Sequence, residues 1–574
     1  MKKLLAVILS IVMMVSFSVV FVSAENEEIV ILYENDVHCA VDAYAKLAAM
    51  KKELKTASNY VGVVSCGDYI QGSSIGAISQ GGYVVELMNL VGYDAVTLGN
   101  HEFDYRIERL NELIALMNTK PVCSNFKSTA TNKTVFEPYT IISYGDTDIA
   151  YIGVTTPDTI TSSSPSQFLN DKEEYIYSFC GDSLYSTVQQ SINEARSKGA
   201  DYVIALTHLG TENVYEQWSA QTLVKNTDGL DAVLDGHSHS VVEQLKVKDK
   251  SGDEVVISST GTKFANIGKL TIKNGQLSTE LIKVEEYTKT DDTVSNRIKE
   301  INEEFSQLGD RKIGVSKVEL ITHDEKGNRL IRNTQTNAGD FCADAFRVVT
   351  GADIGMVNGG GIREKLDKGD ITFNDILNIF PYNNRVVVKK VTGQQVVDML
   401  ELGLVNYPNE DGTFQHVSGL TFEIDKDLKS TVELDDKLMF VGVKGERRVK
   451  NVKVLQNGKY EDIDLKKQYT LASHNYLLID LGGGATMFKD CEVVSDNGML
   501  DVELLEEYIT EHLNGEIGTE YASSQNRIKL YTAPKEEQEK VDTGDDTPVL
   551  PTTITFFSSL YALCILFYKK KETK

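Results

Sequence analysis

Three features of the chain predict an α/β (α+β) fold built as two layered domains. From Ile29 to about Lys283, short apolar runs with strand character alternate with stretches of helical pattern. A second alternating segment runs from about Ile313 to Leu530, and no internal repeat relates the two. Between them Val294, Ile298, Ile301, Phe305 and Leu308 are spaced four, three, four and three, which predicts one amphipathic connecting helix over 293–308, closed by Gly309.

In the first segment the strand candidates are Ile29–Tyr33, Tyr60–Ser65, Ala95–Leu98, Ile149–Val154, Tyr202–Thr207 and Ala232–Leu234. Tyr83 to Val91 and Arg106 to Met117 carry the helical spacing. The chain has 574 residues, 41% hydrophobic and 25% charged, which suits two or three globular domains rather than a disordered chain.

Both ends read as targeting signals. Lys2 and Lys3, the apolar run Leu4 to Phe21 and the small residues Val22-Ser23-Ala24 predict a signal peptide over 1–24, cleaved before Glu25. At the other end an acidic stretch leads into Leu550-Pro551-Thr552-Thr553, then an apolar run from Ile554 to Tyr568 and three lysines. That order of parts resembles a Gram-positive sortase signal, with Ile554 in place of the usual glycine. The apolar run is short for a comfortable membrane span but suffices to halt export. The expected organisation is a signal peptide (1–24), a first domain (25–290), a linker helix (291–309), a second domain (310–531), a flexible stalk (532–549) and a sorting signal or membrane tail (550–574). The expected location is the cell surface, with sortase or the membrane as the partner of the tail.

A formal charge of −26 argues against a nucleic-acid polymer as partner, since such binding depends on neutralising phosphates. An anionic substrate would have to be met by metal ions or a few arginines. Seven cysteines without CxxC spacing give neither a disulfide framework nor a thiolate zinc site.

Five of the predicted strands end on residues that bind metals. They run into Asn35-Asp36-Val37-His38, Gly67-Asp68, Gly99-Asn100-His101-Glu102-Phe103-Asp104, His208, and Asp235-Gly236-His237-Ser238-His239. In an extended segment residues i and i+2 share a side, so Asp36 with His38, and His237 with His239, are expected to point together. Gly67, Gly99 and Gly236 are expected to let the backbone turn where the strands stop. In open α/β sheets the carboxyl ends of the strands meet at one crevice, where ligands bind. A lone histidine after a strand is more often a core or capping residue than a ligand. Here five of the nine histidines fall in such motifs beside Asp or Asn, which favours a shared metal site.

The series DxH, GD, GNHEFD, THLG and GHSH resembles the calcineurin-like metallophosphoesterases. GNHEFD followed by Asn358-Gly359-Gly360-Gly361-Ile362-Arg363 resembles the 5′-nucleotidase family. The resemblance covers roughly Ile29 to Leu530 and implies a metallophosphoesterase β-sandwich flanked by helices, a linker helix and a C-terminal α/β nucleotide-binding domain.

It further implies two divalent ions (Zn, Mn, Fe or Co): Asp36, His38 and His239 around the first, Asn100, His208 and His237 around the second, and Asp68 bridging. Such paired ions clamp the attacking and leaving oxygens of an in-line displacement and supply an activated water. His101, with Asp104 fixing its tautomer, would stabilise charge on the phosphoryl group or leaving oxygen. For the substrate the resemblance implies Arg332, Asn358, Gly361 and Arg363, with Tyr382 and Tyr476 sandwiching a base. Where the family commonly reads GGDG plus an aromatic, this chain has Gly482-Gly483-Gly484-Ala485, so an aspartate that would contact the nucleoside is missing.

The expected activity is hydrolysis of nucleoside 5′-monophosphates, and of di- or triphosphates or UDP-sugars, to nucleoside and phosphate. The rivals are a 2′,3′-cyclic-nucleotide phosphodiesterase or 3′-nucleotidase on the same scaffold, and a surface binding protein with structural metals.

Overall fold

The computed structural model describes residues 28–532, apart from 59 and 212–214. The expected signal peptide, the tail over 550–574 and the stalk beyond Thr532 lie outside the described residues. Among the described residues no helix is long and apolar enough to cross a membrane.

The N-terminal half is a sandwich of two facing sheets. In the first, the strand order is Gln276–Lys283, Asn266–Lys273, Ile29–Glu34, Tyr60–Ser65 and Ala95–Val96. In the second it is Val241–Lys248, Glu254–Thr260, Ala232–Asp235, Tyr202–His208, Thr147–Thr155 and Tyr139–Tyr144. Ile31, Tyr33, Val64, Tyr151, Ile204, Leu206 and Leu234 fill the space between the sheets. Leu32, one residue out of phase with Ile31 and Tyr33, turns instead to the helices outside. Both faces of that strand are therefore buried, which explains its unbroken apolar sequence. Helices Tyr44–Ala57, Gly82–Val91 and Asp292–Gly309 cover the first sheet, while Leu184–Ser197 and Ala220–Asn226 cover the second.

Each predicted strand is present, with ends moved by at most two residues: Ile29–Glu34, Tyr60–Ser65, Ala95–Val96, Thr147–Thr155, Tyr202–His208 and Ala232–Asp235. The first three run parallel to one another, as do the last three. Their carboxyl ends therefore open on one edge of the sandwich.

The helix expected over 293–308 spans Asp292–Gly309. The Asp291 carboxylate caps it by accepting from the Val294 N–H at 3.0 Å. Val294, Ile298 and Ile301 join the core of the N-terminal half, so this connector is packed as part of that half.

The C-terminal half centres on a mixed sheet ordered Gln415–Ser418, Ile354–Asn358, Gln468–His474, Val386–Thr392 and Val493–Ser495. Helix Asn337–Thr350 lies on one face and Gly393–Leu402 on the other, each with its own apolar cluster. Both helices begin on a threonine cap, Thr336 and Thr392, whose hydroxyl accepts a backbone N–H.

Candidate active site

At the shared edge of the sandwich the backbone leaves the strands in a way the sequence did not suggest. Asp36, His38, Asp68, His237 and His239 all have positive φ, of 52°, 47°, 60°, 79° and 55°. The expectation that Asp36 and His38, or His237 and His239, share a side because the chain is extended is therefore wrong. They converge because each sits in a left-handed turn, a conformation costly for residues with a Cβ and concentrated at functional sites. The glycines also act differently from expectation. Only Gly67 among the three takes positive φ, at 91°. Gly99 is needed for closeness, since a Cβ there would strike Asp68 Oδ1, and one on Gly236 would lie 2.8 Å from His208 Nδ1.

These turns gather the side chains tightly. His38 Nε2 and His239 Nε2 face each other at 3.0 Å, and Asp36 Oδ1 lies 3.9 and 3.5 Å from them. Asp68 Oδ2 is 3.0 Å from His208 Nε2 and 4.0 Å from His38 Nε2. Asn100 Oδ1 and His237 Nδ1 meet at 3.0 Å. Asp36, His38 and His239 form one cluster able to hold a cation, and Asp36, Asp68 and His208 form another. Both Asp36 and Asp68 touch each group of histidines, so two carboxylates are placed to be shared.

The outer nitrogens are fixed from behind. His38 Nδ1 bonds the Gln71 carbonyl at 2.9 Å, and His208 Nδ1 the Cys66 carbonyl at 2.8 Å. Each ring therefore presents Nε2 to the cluster, the arrangement expected of metal-binding histidine. Burial and the neighbouring cations drive His38 and His239 well below the ordinary histidine range, so these facing nitrogens are lone-pair donors. Asp68 is held well below the carboxylate range, because His208, His101 and His38 outweigh its burial. Buried N and O donors aimed at common points, without thiolate, fit divalent ions. The clusters are candidates for such ions.

His101 stands at the rim of this set, where with His38 and Asp68 it forms a third group able to hold a cation. Its Nδ1 meets Asp104 Oδ2 at 2.5 Å, and its Nε2 is 4.0 Å from Asp68 Oδ2. Burial opposes a charge on His101, but Asp104 and Asp68 outweigh it and raise its pKa. The pair thus favours an imidazolium with Nε2 toward the cavity.

That cavity, of about 260 Å³, continues from Asp68, Asn100, His101 and His237 into the C-terminal half. All six residues expected to touch substrate line it: Arg332, Asn358, Gly361, Arg363, Tyr382 and Tyr476. The Arg363 guanidinium lies 5.8 Å over the Tyr382 ring, whose other neighbour is His101 at 6.0 Å. The Tyr476 hydroxyl donates to the Thr161 carbonyl at 2.9 Å across the two halves. Burial, then the charges of Arg329 and Arg363, weaken the Arg332 cation and push its pKa down to about 9. Arg332 and Arg363 have no ion-pair partner among the described residues, and such positive charge in a cleft calls for an anion.

Several residues here were not singled out from the sequence. Glu102, within GNHEFD, accepts four backbone N–H groups, those of Asp68, Tyr69, Ile70 and Gly99. Asp158 lies 3.5 Å from His237 Nε2. It follows the strand Thr147–Thr155, the one strand of the six not credited with a ligand, and applying the strand-end rule to that strand as well would have found it. Arg329, three positions before Arg332, lines the cavity and pairs with Glu410 at 2.6 Å.

Residues 29–241 match the calcineurin-like phosphoesterase model and residues 312–490 the 5′-nucleotidase C-terminal domain model. The chain belongs to the 5′-nucleotidase family. It is accordingly a phosphoesterase hydrolase. Among curated relatives it is 26% identical over 528 residues to the trifunctional nucleotide phosphoesterase YfkN of Bacillus subtilis, covering 84% of this chain but 34% of that one. The chain thus spans about a third of that relative's length. It is 26% identical to a 5′-nucleotidase of Vibrio parahaemolyticus, covering 76% of this chain and 79% of the other. The nucleotidase fold is also that of a 5′-nucleotidase precursor from Thermus thermophilus, with a TM-score of 0.73, 22% identity, and 88% and 100% of the two chains covered.

Proposed function

We propose that this nucleotidase hydrolyses nucleoside 5′-monophosphates to nucleoside and phosphate at the cell surface, with nucleoside di- and triphosphates and UDP-sugars as further substrates. One observation carries the reading: a single cavity joins residues of the histidine–aspartate clusters, three arginines, and Tyr382 and Tyr476. That set of groups can meet the phosphate of a nucleotide with cations and its base with aromatic rings.

Asp36, His38 and His239 would hold one ion, and Asn100, His208 and His237 the other, with Asp68 between them. When bound, two such ions supply Lewis-acid stabilisation and a water acidified to near-neutral pKa. The chain's own groups do the remainder. Arg332 and Arg363 offer planar forks that orient phosphate oxygens. His101, braced by Asp104, offers an Nε2–H to the phosphoryl group or leaving oxygen where charge develops. Tyr382 and Tyr476 stack on the base. Export rests on the signal sequence at 1–24, and retention on the tail at 550–574, through sortase or the membrane. With a charge of −26, a nucleic-acid polymer is not among the partners.

A substrate panel tests this: 5′-, 3′- and 2′,3′-cyclic nucleotides, a UDP-sugar and a small aryl phosphate. The cyclic and 3′ esters represent the rival activities that the same scaffold would support. The 5′-monophosphates should give the highest kcat/KM. Tyr382→Ala or Tyr476→Ala should raise KM for them by roughly ten- to a hundred-fold relative to the aryl phosphate, as base stacking contributes about 1–3 kcal/mol. Equal losses on both substrate types would remove the base-binding role. A cyclic ester preferred over every 5′-monophosphate would replace the 5′-nucleotidase reading with the diesterase one.

A further inference from the structure

Gly483 and Ala485 leave the cavity without the carboxylate that the family pattern places there. In the structure Gly483 lines the cavity with φ 65°, and a Cβ built on it would lie 2.5 Å from Thr413 Cγ2. Ala485 is buried. The space is occupied by the loop between helix Gly393–Leu402 and strand Gln415–Ser418, and that loop brings an acid of its own to the cavity wall, Asp411.

Four other carboxylates line the cavity, and each faces a basic partner: Asp68 faces His208, Asp104 His101, Asp158 His237 and Glu410 Arg329. Asp411 differs. One oxygen accepts from the Thr413 N–H at 2.8 Å and hydroxyl at 2.6 Å, and the other from Asn406 Nδ2 at 2.6 Å. Among the described residues it has no ion-pair partner. These three donors are neutral, so they leave the charge of the carboxylate uncancelled at the cavity wall, beside the Tyr215 ring. A carboxylate so placed suits an O–H or N–H donor and repels phosphate.

The loop is fixed between the two parts of the proposed nucleotide site. The Asp411 N–H donates to the Arg332 carbonyl at 3.0 Å. The Gly412 carbonyl accepts from the Gly360 N–H at 2.9 Å and from Asn358 Nδ2 at 3.0 Å. On the other side Thr413 packs on Gly483, and the adjoining Gly482 lies close against the Tyr476 ring. Asp411 is thus framed by the arginine and glycine segments on one side and the stacking tyrosine on the other. In a nucleotide the sugar spans that interval.

We infer that Asp411 accepts a hydrogen bond from a ribose hydroxyl of the substrate and makes the enzyme select ribonucleotides over the deoxy analogue lacking that hydroxyl. The inference rests on the nucleotidase reading above. In a sequence pattern it is invisible, because the acid comes from a different loop than the one where the family carries it.

The test compares kcat/KM for AMP, 2′-deoxy-AMP, 3′-deoxy-AMP, CMP and a small aryl phosphate, using the full chain. The unmodified enzyme should favour AMP over one of the two deoxy analogues by about 10- to 100-fold, as expected for a hydrogen bond to a charged group. In Asp411→Asn and Asp411→Ala that ratio should fall toward parity. Both rates come from one preparation, so any loss of folded protein cancels. Parity in the unmodified enzyme would overturn the inference, as would full discrimination in both variants. A change in the AMP/CMP ratio with the ribose ratio intact would also overturn it, because the donor would then lie on the base. Turnover of the aryl phosphate with no turnover of any nucleotide would overturn the nucleotidase reading itself, a result distinct from nucleotides hydrolysed at parity.

Discussion

Glu102 Oε2 accepts the backbone N–H of Asp68 at 2.8 Å, and so holds the turn on which that shared carboxylate is mounted. Its other oxygen accepts from Tyr69 at 2.8 Å and Ile70 at 3.3 Å, while the Gly99 N–H reaches Oε2 at 2.6 Å. An ionised carboxylate can accept all four; an amide would turn its own N–H₂ toward two of these donors. Glu102→Gln is therefore expected to weaken divalent-metal binding by about 10–100-fold, as measured by titration of the metal-free protein, with the fold retained by circular dichroism. Unchanged affinity would show that the Asp68 turn holds itself.

His101 should behave in the opposite way. Its Nδ1 is held by Asp104, and its Nε2 lies 4.0 Å from Asp68 Oδ2, beside the Asp36–His38–His239 and Asp36–Asp68–His208 groups rather than within them. In His101→Ala, metal content by elemental analysis should stay near that of the parent while kcat falls ~10²–10³-fold, the cost of removing one charge-stabilising donor. A variant that loses metal would make His101 a ligand, as its grouping with His38 and Asp68 allows.

Asp158 is expected to orient His237. The imidazole meets Asn100 Oδ1 through Nδ1 at 3.0 Å and Asp158 through Nε2 at 3.5 Å, so the carboxylate faces the nitrogen turned away from the cluster. Burial works against the charge on Asp158, but His237 outweighs it and holds the acid below its ordinary range. Asp158→Asn should weaken binding of one equivalent of metal by about 10–100-fold and leave the other equivalent as it was. Calorimetric titration separates the two, and equal weakening of both sites would exclude this specific role.

Much of this architecture was legible in the chain. Ile29–Glu34 and Tyr202–His208 announce themselves because their two faces are both buried, and the ligand motifs follow at once after the apolar runs. What could not be read was the means of convergence. Asp36, His38, Asp68, His237 and His239 are all left-handed, and nothing in their identity reports it; at Asp68 the turn is held by the Glu102 bonds and the close approach of Gly99, which only the fold brings there. Asp411 was hidden for another reason. Its importance depends on the packing of Thr413 against Gly483, 70 residues away by number and adjacent only in the fold.

One stability prediction lies away from the metal clusters. His416 is fully buried, its Nε2 donating to the Ile331 carbonyl at 2.9 Å, and burial pushes its pKa down to about 4. The unfolded chain binds a proton there near pH 6.5, whereas the folded chain does not, so protonation favours unfolding. The contribution is fully present above pH 6.5 and declines as pH falls toward 4, by roughly 3 kcal/mol in all. The parent should therefore lose more denaturation midpoint between pH 7 and pH 4.5 than His416→Gln. Parallel pH profiles for the two proteins would contradict the assignment.

Two ions held by this histidine–aspartate cluster are proposed to drive hydrolysis of a nucleotide phosphoester. Metal content and phosphate release from AMP, measured on the same samples of the parent and Asp68→Ala, decide the matter. The parent should retain two equivalents of divalent metal, release phosphate, stop when stripped by chelator and recover on adding metal back. Asp68→Ala should lose both metal and turnover, since Asp68 Oδ2 faces histidines of each cluster. Phosphate release that persists in the metal-free protein would rule out the dimetal mechanism, and two equivalents of metal retained by Asp68→Ala would rule out the bridging role of Asp68.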